Sequence, residues 1–375
     1  MSYKPGIDHI SSVAHILQGK RIGLLTNPSG VNAQMQATID ILAQHFELTR
    51  LFAPEHGIRG ELQAGAFVSS YTDSRTGLEV VSLYGENRAD ALHGIDCMVY
   101  DIQDLGLRHF SYPYLMADMM KACAKCGIPF VVLDRYNPFG LEAVSGNLFD
   151  NQYSCSVGGY SLPTQYALTA GELAQYINVV FEVGCELYVA PCLGISREKT
   201  YRDYQPLWIQ PSPNCPTFDT ATCYIGTVLF EGTNVSEGRG TTRPFELIGA
   251  PWMKNNEVAD KMNAMDLGGV VFRPAYFTPT FSKYQGELCR GLQIHVTDAT
   301  RFEPYRCALW LLDTIKTMHD AFAFTKMNDR DYFIDSLAGT NALRSADFAP
   351  DQYITQQKPL LEEFKAKTEV FHLYH

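Results

Sequence analysis

The chain has 375 residues, 46% of them apolar and 19% charged, which is enough to bury a large core divided between two domains. Its 41 acidic and 30 basic side chains leave a net charge of −11, which argues against nucleic acid or an anionic membrane surface as the main partner. There is no run of about 18 apolar residues to span a membrane. The N-terminus carries no apolar signal segment, so a cytoplasmic location is expected, with a periplasmic one open if a leader has been removed.

Read in order, the chain predicts a strand over 21–26, a turn at Asn27-Pro-Ser-Gly30, a helix over 33–45 and a strand over 48–53. That succession is a βαβ unit. The pattern recurs with a strand at 80–83 and a continuous apolar run at 95–102, suited to a central parallel strand. A helix over 113–126, a strand over 129–133, a helix over 170–183 and a strand over 186–190 come next. Thr169 and Glu172 form a capping box for the second of these helices. Residues 1–195 therefore read as an α/β domain built on an open, doubly wound parallel sheet. From 196 the pattern changes to a proline-rich connector (205–217), a helix (257–265), strands (270–274 and 292–296), a helix (304–319) and a helical tail (330–366). This predicts a smaller α+β domain over 196–375.

The ten cysteines lie mostly in apolar runs, as buried thiols do, rather than in a disulfide framework. Cys123 and Cys126 have redox or zinc spacing but no second Cys/His pair, so neither role is expected.

In open α/β sheets ligands bind beyond the carboxyl ends of the strands. That rule selects four segments. Thr26-Asn-Pro-Ser-Gly30 lacks the spacing of a phosphate loop or dinucleotide fingerprint, so no nucleotide cofactor is expected. In Pro54-Glu-His-Gly57 a rigid turn holds Glu55, beside His56 and four residues before Arg59. A carboxyl in a partly dry turn suits a general acid, but Glu55 could equally pair with Arg59. Asp101, Gln103, Asp104 and Arg108 form a third cluster, where Asp101 is either a functional acid or the partner of Arg108. Asp134 and Arg135 repeat that arrangement on the next strand.

A fifth segment, 231–246, has no helical or strand period. It combines Glu231, Glu237 and Glu246 with Arg239, Arg243, Asn234, Thr241 and three glycines, and an apolar clamp over 244–252 closes it. This is a loop suited to close approach of a polar ligand. Two carboxylates facing one cleft serve glycoside hydrolysis, and a 2-acetamido sugar can instead supply its own nucleophile. Arginines 59, 108, 239 and 243 could meet a substrate carboxylate. Neither a Gly-x-Ser-x-Gly elbow nor a His-Glu-x-x-His motif is present, so neither a serine hydrolase nor a metal is expected.

Several long motifs together resemble the exo-β-N-acetylmuramidase family. They are Gly23-Leu-Leu-Thr-Asn-Pro-Ser-Gly-Val31, Phe52-Ala-Pro-Glu-His-Gly-Ile-Arg-Gly60, Ser82-Leu-Tyr-Gly85, Asp101-Ile-Gln-Asp-Leu-Gly106, Pro211-Ser-Pro-Asn214, the run 230–245 and Tyr276-Phe-Thr-Pro-Thr-Phe-Ser-Lys283. The resemblance implies a Rossmann-like domain, an appended C-terminal domain and a cleft between them. It implies no cofactor, and a small saccharide partner: release of N-acetylmuramic acid from the non-reducing ends of peptidoglycan fragments. It assigns the catalytic glutamate of the Pro-Glu-His-Gly motif to Glu55. The expected site then has Glu55 and Asp101 as catalytic carboxylates. The expected substrate contacts are Asn27, His56, Arg59, Gln103, Asp104, Arg108, Asp134, Arg135, Asn214, Glu231, Asn234, Glu237, Arg239, Thr241 and Arg243. The chain departs from the family pattern at Tyr136, Ser145, Gln165 and Tyr166. If those positions touch sugar, they imply a shifted substrate preference, or a protein that binds a sugar acid without cleaving it. An ester hydrolase on the same scaffold is a further alternative.

Overall fold

The structure, a computed structural model, describes residues 2–55, 57–60, 70–83, 88–155, 158–328 and 331–375. The first strands are β1 (Ile22–Thr26), β2 (Leu48–Ala53), β3 (Tyr71–Thr72), β4 (Glu79–Ser82), β5 (Cys97–Asp101) and β6 (Phe130–Leu133). The hairpin strands β7 (Ser145–Leu148) and β8 (Pro163–Gln165) stand outside the main sheet, and β9 (Leu187–Ala190) returns to it. The seven-stranded order is β3-β4-β2-β1-β5-β6-β9, parallel except at the short edge strand β3. The chain leaves β1 toward β2 and later returns to β1's other side with β5. The direction of winding therefore reverses beside β1, where such sheets open a crevice.

Alternation along these strands divides the core. Leu25, Phe52, Met98, Tyr100 and Val132 face one apolar cluster, while Leu24, Leu51, Val99, Val131 and Leu133 face another. A strand buried on both faces needs apolar side chains at every position, which is why these strands are legible as unbroken runs. The second cluster is closed by the helix Thr38–His45 and the N-terminal turns. The first continues without a break into the C-terminal half. The predicted helix over 33–45 begins only at Thr38, because Asn32 ties residues 34 and 36 into a turn through its side-chain oxygen. Thr169 and Glu172 form the expected capping box on Ala170–Val180.

The C-terminal half has an antiparallel sheet of β10 (Leu247–Ala250), β11 (Val270–Phe277) and β12 (Cys289–Val296) in the order β10-β12-β11. The helix Asn255–Ala264 packs against it, and Pro304–Met318 packs on that helix. A buried helix, Phe218–Thr227, escapes pattern reading because it is buried on every side; it packs on Pro304–Met318 and leads directly into the 231–246 stretch. The predicted tail helix is two helices, Phe333–Ala338 and Pro350–Thr368. Among the described residues no cysteine forms a disulfide. Among the described residues no helix is long and apolar enough to cross a membrane.

Candidate functional site

Most charged side chains at the strand ends serve the fold. Asp101 is fully buried and takes a bidentate ion pair from Arg135, at 2.6 and 3.0 Å. The Thr38 hydroxyl donates to the same carboxylate. Asp101 is therefore neither a catalytic acid nor the partner of Arg108, and Arg135 is consumed by this pair and by the Val31 carbonyl. Asp134 is also fully buried. It accepts from the Thr169 hydroxyl (2.7 Å), the Gly171 amide (2.8 Å) and the Tyr374 hydroxyl (2.5 Å). A Cβ at position 171 would sit 2.9 Å from the Asp134 carboxyl carbon, so glycine is what lets this carboxylate reach the helix N-terminus. Asp104 accepts from the Tyr166 hydroxyl, and burial pushes its carboxyl up to about 6. Gln103 donates to the carbonyls of Asp104 (2.7 Å) and Tyr136 (2.9 Å).

Among the described residues Arg108 has no carboxylate partner. Its guanidinium is fully buried and donates to the carbonyls of Asn147, Leu162, Leu337 and Ala338, the last two at the C-terminal end of Phe333–Ala338. A cation at that end of a helix meets its partial negative charge. Arg108 thus joins the β5 loop, the β7–β8 hairpin and the C-terminal half. Arg59 pairs with Asp73 at 3.0 Å. Asn27 holds the turn after β1 and donates to the Pro211 carbonyl at 3.3 Å. Asn214 is buried near that connector and does not line the cleft that holds Glu55. His56 lies outside the described residues.

The 231–246 stretch sorts in the same way. Glu237 is buried and bound by Lys283 (3.0 Å) and Arg239 (3.4 Å). Glu246 is buried between Thr220 (2.7 Å) and Arg243 (2.8 Å). Asn234 bonds the backbone of Ala321 and Ala323, and Thr241 closes a turn on Gly238. None of these four, nor Arg243, lines the cleft. Glu231 and Arg239 do, paired at 2.7 Å. Arg239 also lies 5.0 Å over the Phe245 ring.

The cleft has a volume of about 560 Å³, and it brings Glu55 from the turn after β2 together with Glu231 and Arg239. Its walls also include the aromatics Tyr112, Tyr224 and Phe281. Burial raises the Tyr224 hydroxyl well above its ordinary value; Glu231 and, more weakly, Glu55 push it the same way. Burial likewise raises the Tyr112 hydroxyl, with Glu55 adding to the effect. Both carboxylates thus act on Tyr224. Glu231's own carboxyl is raised by burial, against the opposing pull of Arg239. Tyr112 donates to the Pro211 carbonyl at 2.6 Å, which fixes Ser212 in the wall.

His109 is buried in the same wall, and burial lowers its basicity well below the ordinary imidazole range, with Arg108 adding to the effect. Its Nε2 sits 2.8 Å from the Leu337 carbonyl, which can only accept, so Nε2 carries the proton. Lys283 donates to the carbonyls of Phe230 (2.7 Å), Glu231 (3.3 Å) and Val235 (3.0 Å) and so holds Glu231 in place. His109, Tyr112, Tyr224, Phe281 and Lys283 are not assigned by sequence. The usable signal is their place inside or beside motifs: 281 and 283 fall in Tyr276–Lys283, and 109 and 112 lie just past Asp101–Arg108. Among the described residues no group of three or more His, Cys, Asp or Glu side chains is placed to hold a metal.

None of the four departures lines the cleft. Tyr136 packs edge-on to Tyr3 beside a separate cavity of about 180 Å³. Ser145 donates to Gln165 at 2.9 Å across the hairpin, and Tyr166 is the buried partner of Asp104. Each replacement has an internal partner and stands outside this cleft.

Residues 22–219 match the family described as exo-beta-N-acetylmuramidase NamZ, N-terminal, and residues 222–374 match its C-terminal counterpart. A peptidoglycan beta-N-acetylmuramidase NamZ of Bacillus subtilis (strain 168) is 42% identical over 368 residues, covering 96% of this chain and 88% of that protein. Two crystal structures of DUF1343 family proteins from Bacteroides fragilis NCTC 9343 share the fold. One has a TM-score of 0.88 at 32% identity and the other 0.79 at 28%, each covering 100% of this chain and 99% of its own.

Proposed function

The chain belongs to the exo-beta-N-acetylmuramidase NamZ family, and from that premise we propose an exo-acting glycosidase that releases N-acetylmuramic acid from the non-reducing ends of peptidoglycan fragments. The supporting observation is that Glu55, from the first family region, and Glu231 and Arg239, from the second, line one cleft. In this reading Glu55 gives its proton to the glycosidic oxygen as the bond to the anomeric carbon breaks. Glu231, held by Arg239 and Lys283, accepts the hydrogen bond of the attacking group, which is a water O–H or the N–H of the sugar's own acetamide. Arg239 supplies the positive charge that the lactyl carboxylate meets. Tyr112 and Tyr224 keep water away from the Glu55 side.

Hydrolysis of a chromogenic N-acetylmuraminide tests the proton donor. Glu55→Gln is expected to lower kcat by about 10²–10⁴-fold, the usual worth of a positioned acid, with an unchanged melting temperature. Glu198→Gln, at a carboxylate away from the cleft, keeps wild-type turnover. Wild-type turnover in Glu55→Gln would overturn the assignment.

A further inference from the structure

Phe281 lines the cleft yet remains 38% exposed, whereas Phe110, Tyr112 and Tyr224 in the same wall are buried and Phe333 is half-buried. An aromatic ring that lines a cleft and keeps part of its face open offers apolar area for a ligand to bury. The backbone that presents it is held on several sides. Gly240 adopts φ +80, and a Cβ there would lie 2.5 Å from the Phe281 carbonyl oxygen. The Gly240 carbonyl accepts from both the amide and the hydroxyl of Thr280, each at 2.9 Å. Lys283 is bound into the 230–237 loop, and the Tyr284 hydroxyl donates to the Asn234 carbonyl at 2.6 Å. Ser282 and Tyr284 sit in the left-handed region, at φ 71 and 57. A side chain other than glycine holds such a conformation only where its surroundings enforce it. Those anchors fix the ring relative to Glu231 and Arg239, which belong to the same bound loop.

We propose that Phe281 is a stacking platform for the pyranose ring on the leaving-group side of the cleaved bond. This rests on the glycosidase reading. An exo-acting cleft encloses the terminal sugar and leaves the departing saccharide toward the mouth, where the exposed ring is. The apolar face of a pyranose presents C–H groups that match the electron-rich face of a phenyl ring. The carboxylates and Arg239 serve the terminal sugar acid, and Phe281 adds recognition of the adjoining sugar.

The test compares two substrates: the β-linked disaccharide of N-acetylmuramic acid and N-acetylglucosamine, and the methyl glycoside of N-acetylmuramic acid, whose leaving group has no ring. Phe281→Ala is expected to lower kcat/KM for the disaccharide about 10-fold, mainly through KM, equivalent to about 1.4 kcal/mol. The methyl glycoside is expected to be unaffected, and Phe281→Tyr to restore the disaccharide. Equal losses on both substrates, or none on the disaccharide, overturn the platform. Failure of the glycosidase reading would show separately, as no hydrolysis of either substrate by the wild-type chain. Calorimetric titration of the disaccharide into Glu55→Gln, with and without Phe281→Ala, then decides the platform alone: a tenfold weaker Kd supports it and an unchanged Kd overturns it.

Discussion

The carboxylates at the ends of β5 and β6 and the carboxylates of the cleft come from equally polar sequence and do different work. Asp101 and Asp134 are fully buried, and each is bound by several donors. Glu55 and Glu231 are only half-buried and face a shared cleft. A buried carboxylate with bonded oxygens has its ion-pairing invested in the fold and offers nothing to a ligand. Charge density at a strand end therefore marks a place where the backbone needs polar partners, and only exposure to a cleft turns such a group into chemistry.

Substitutions separate the two classes. The largest effect on folding is expected from Asp101→Ala, which strands the Arg135 guanidinium in the core. Chemical denaturation should show a loss of about 3–5 kcal/mol, while the folded fraction keeps its KM. Loss of KM at unchanged stability would place Asp101 back in the site. Glu231→Gln should weigh the other way, lowering kcat by at least about 10²-fold on the chromogenic substrate and costing less stability than Asp101→Ala, because Arg239 keeps Glu237 as a partner.

Asp104 gives a smaller, pH-dependent test. Its folded-state value, about 6, lies above the ordinary 3.8 because burial disfavours the charge. The folded chain therefore holds this proton more tightly than the unfolded chain does. Its stabilising contribution is complete below about pH 4 and is lost as pH rises through about 6. Asp104→Asn removes that loss, so its stability relative to wild type should improve by of the order of 2 kcal/mol between pH 4 and 7. A flat difference across that range would show that Asp104 does not titrate there. The smallest effect belongs to Arg243→Gln. Its side chain is 53% exposed and pairs with Glu246, so stability should change by at most about 1 kcal/mol and turnover should be unaltered.

The sheet is legible in sequence because strands buried on both faces leave unbroken apolar runs, as in Cys97–Asp101. Glu55 stands out in sequence because proline and glycine frame it, and it lines the cleft. The pairing of charges is not legible. Asp101 finds Arg135, 34 residues away, rather than Arg108, seven residues away in the same loop. Sequence proximity says little about partners when parallel strands bring distant loops side by side. Tyr112, Tyr224 and Phe281 go unassigned because an aromatic that lines a cleft has the same local pattern as one that fills a core. The helix Phe218–Thr227 escapes notice because burial on all sides erases the 3.6-residue period on which recognition depends.

The bond from Tyr374 to Asp134 spans 240 residues, and beside it the Leu373 amide reaches the Glu172 carboxylate at 2.8 Å, across 201 residues. Tyr374 also accepts from the Cys192 amide at 2.9 Å. During synthesis, the polar end of β6 and the start of Ala170–Val180 emerge long before these partners exist. Until residues 373 and 374 leave the ribosome, the first sheet can collapse around its apolar strands but cannot saturate its buried acids. Closure of these polar seams thus rests on contacts of very long sequence separation, and loss of the Tyr374 hydroxyl would leave a defect in the seams of the first half rather than in its core.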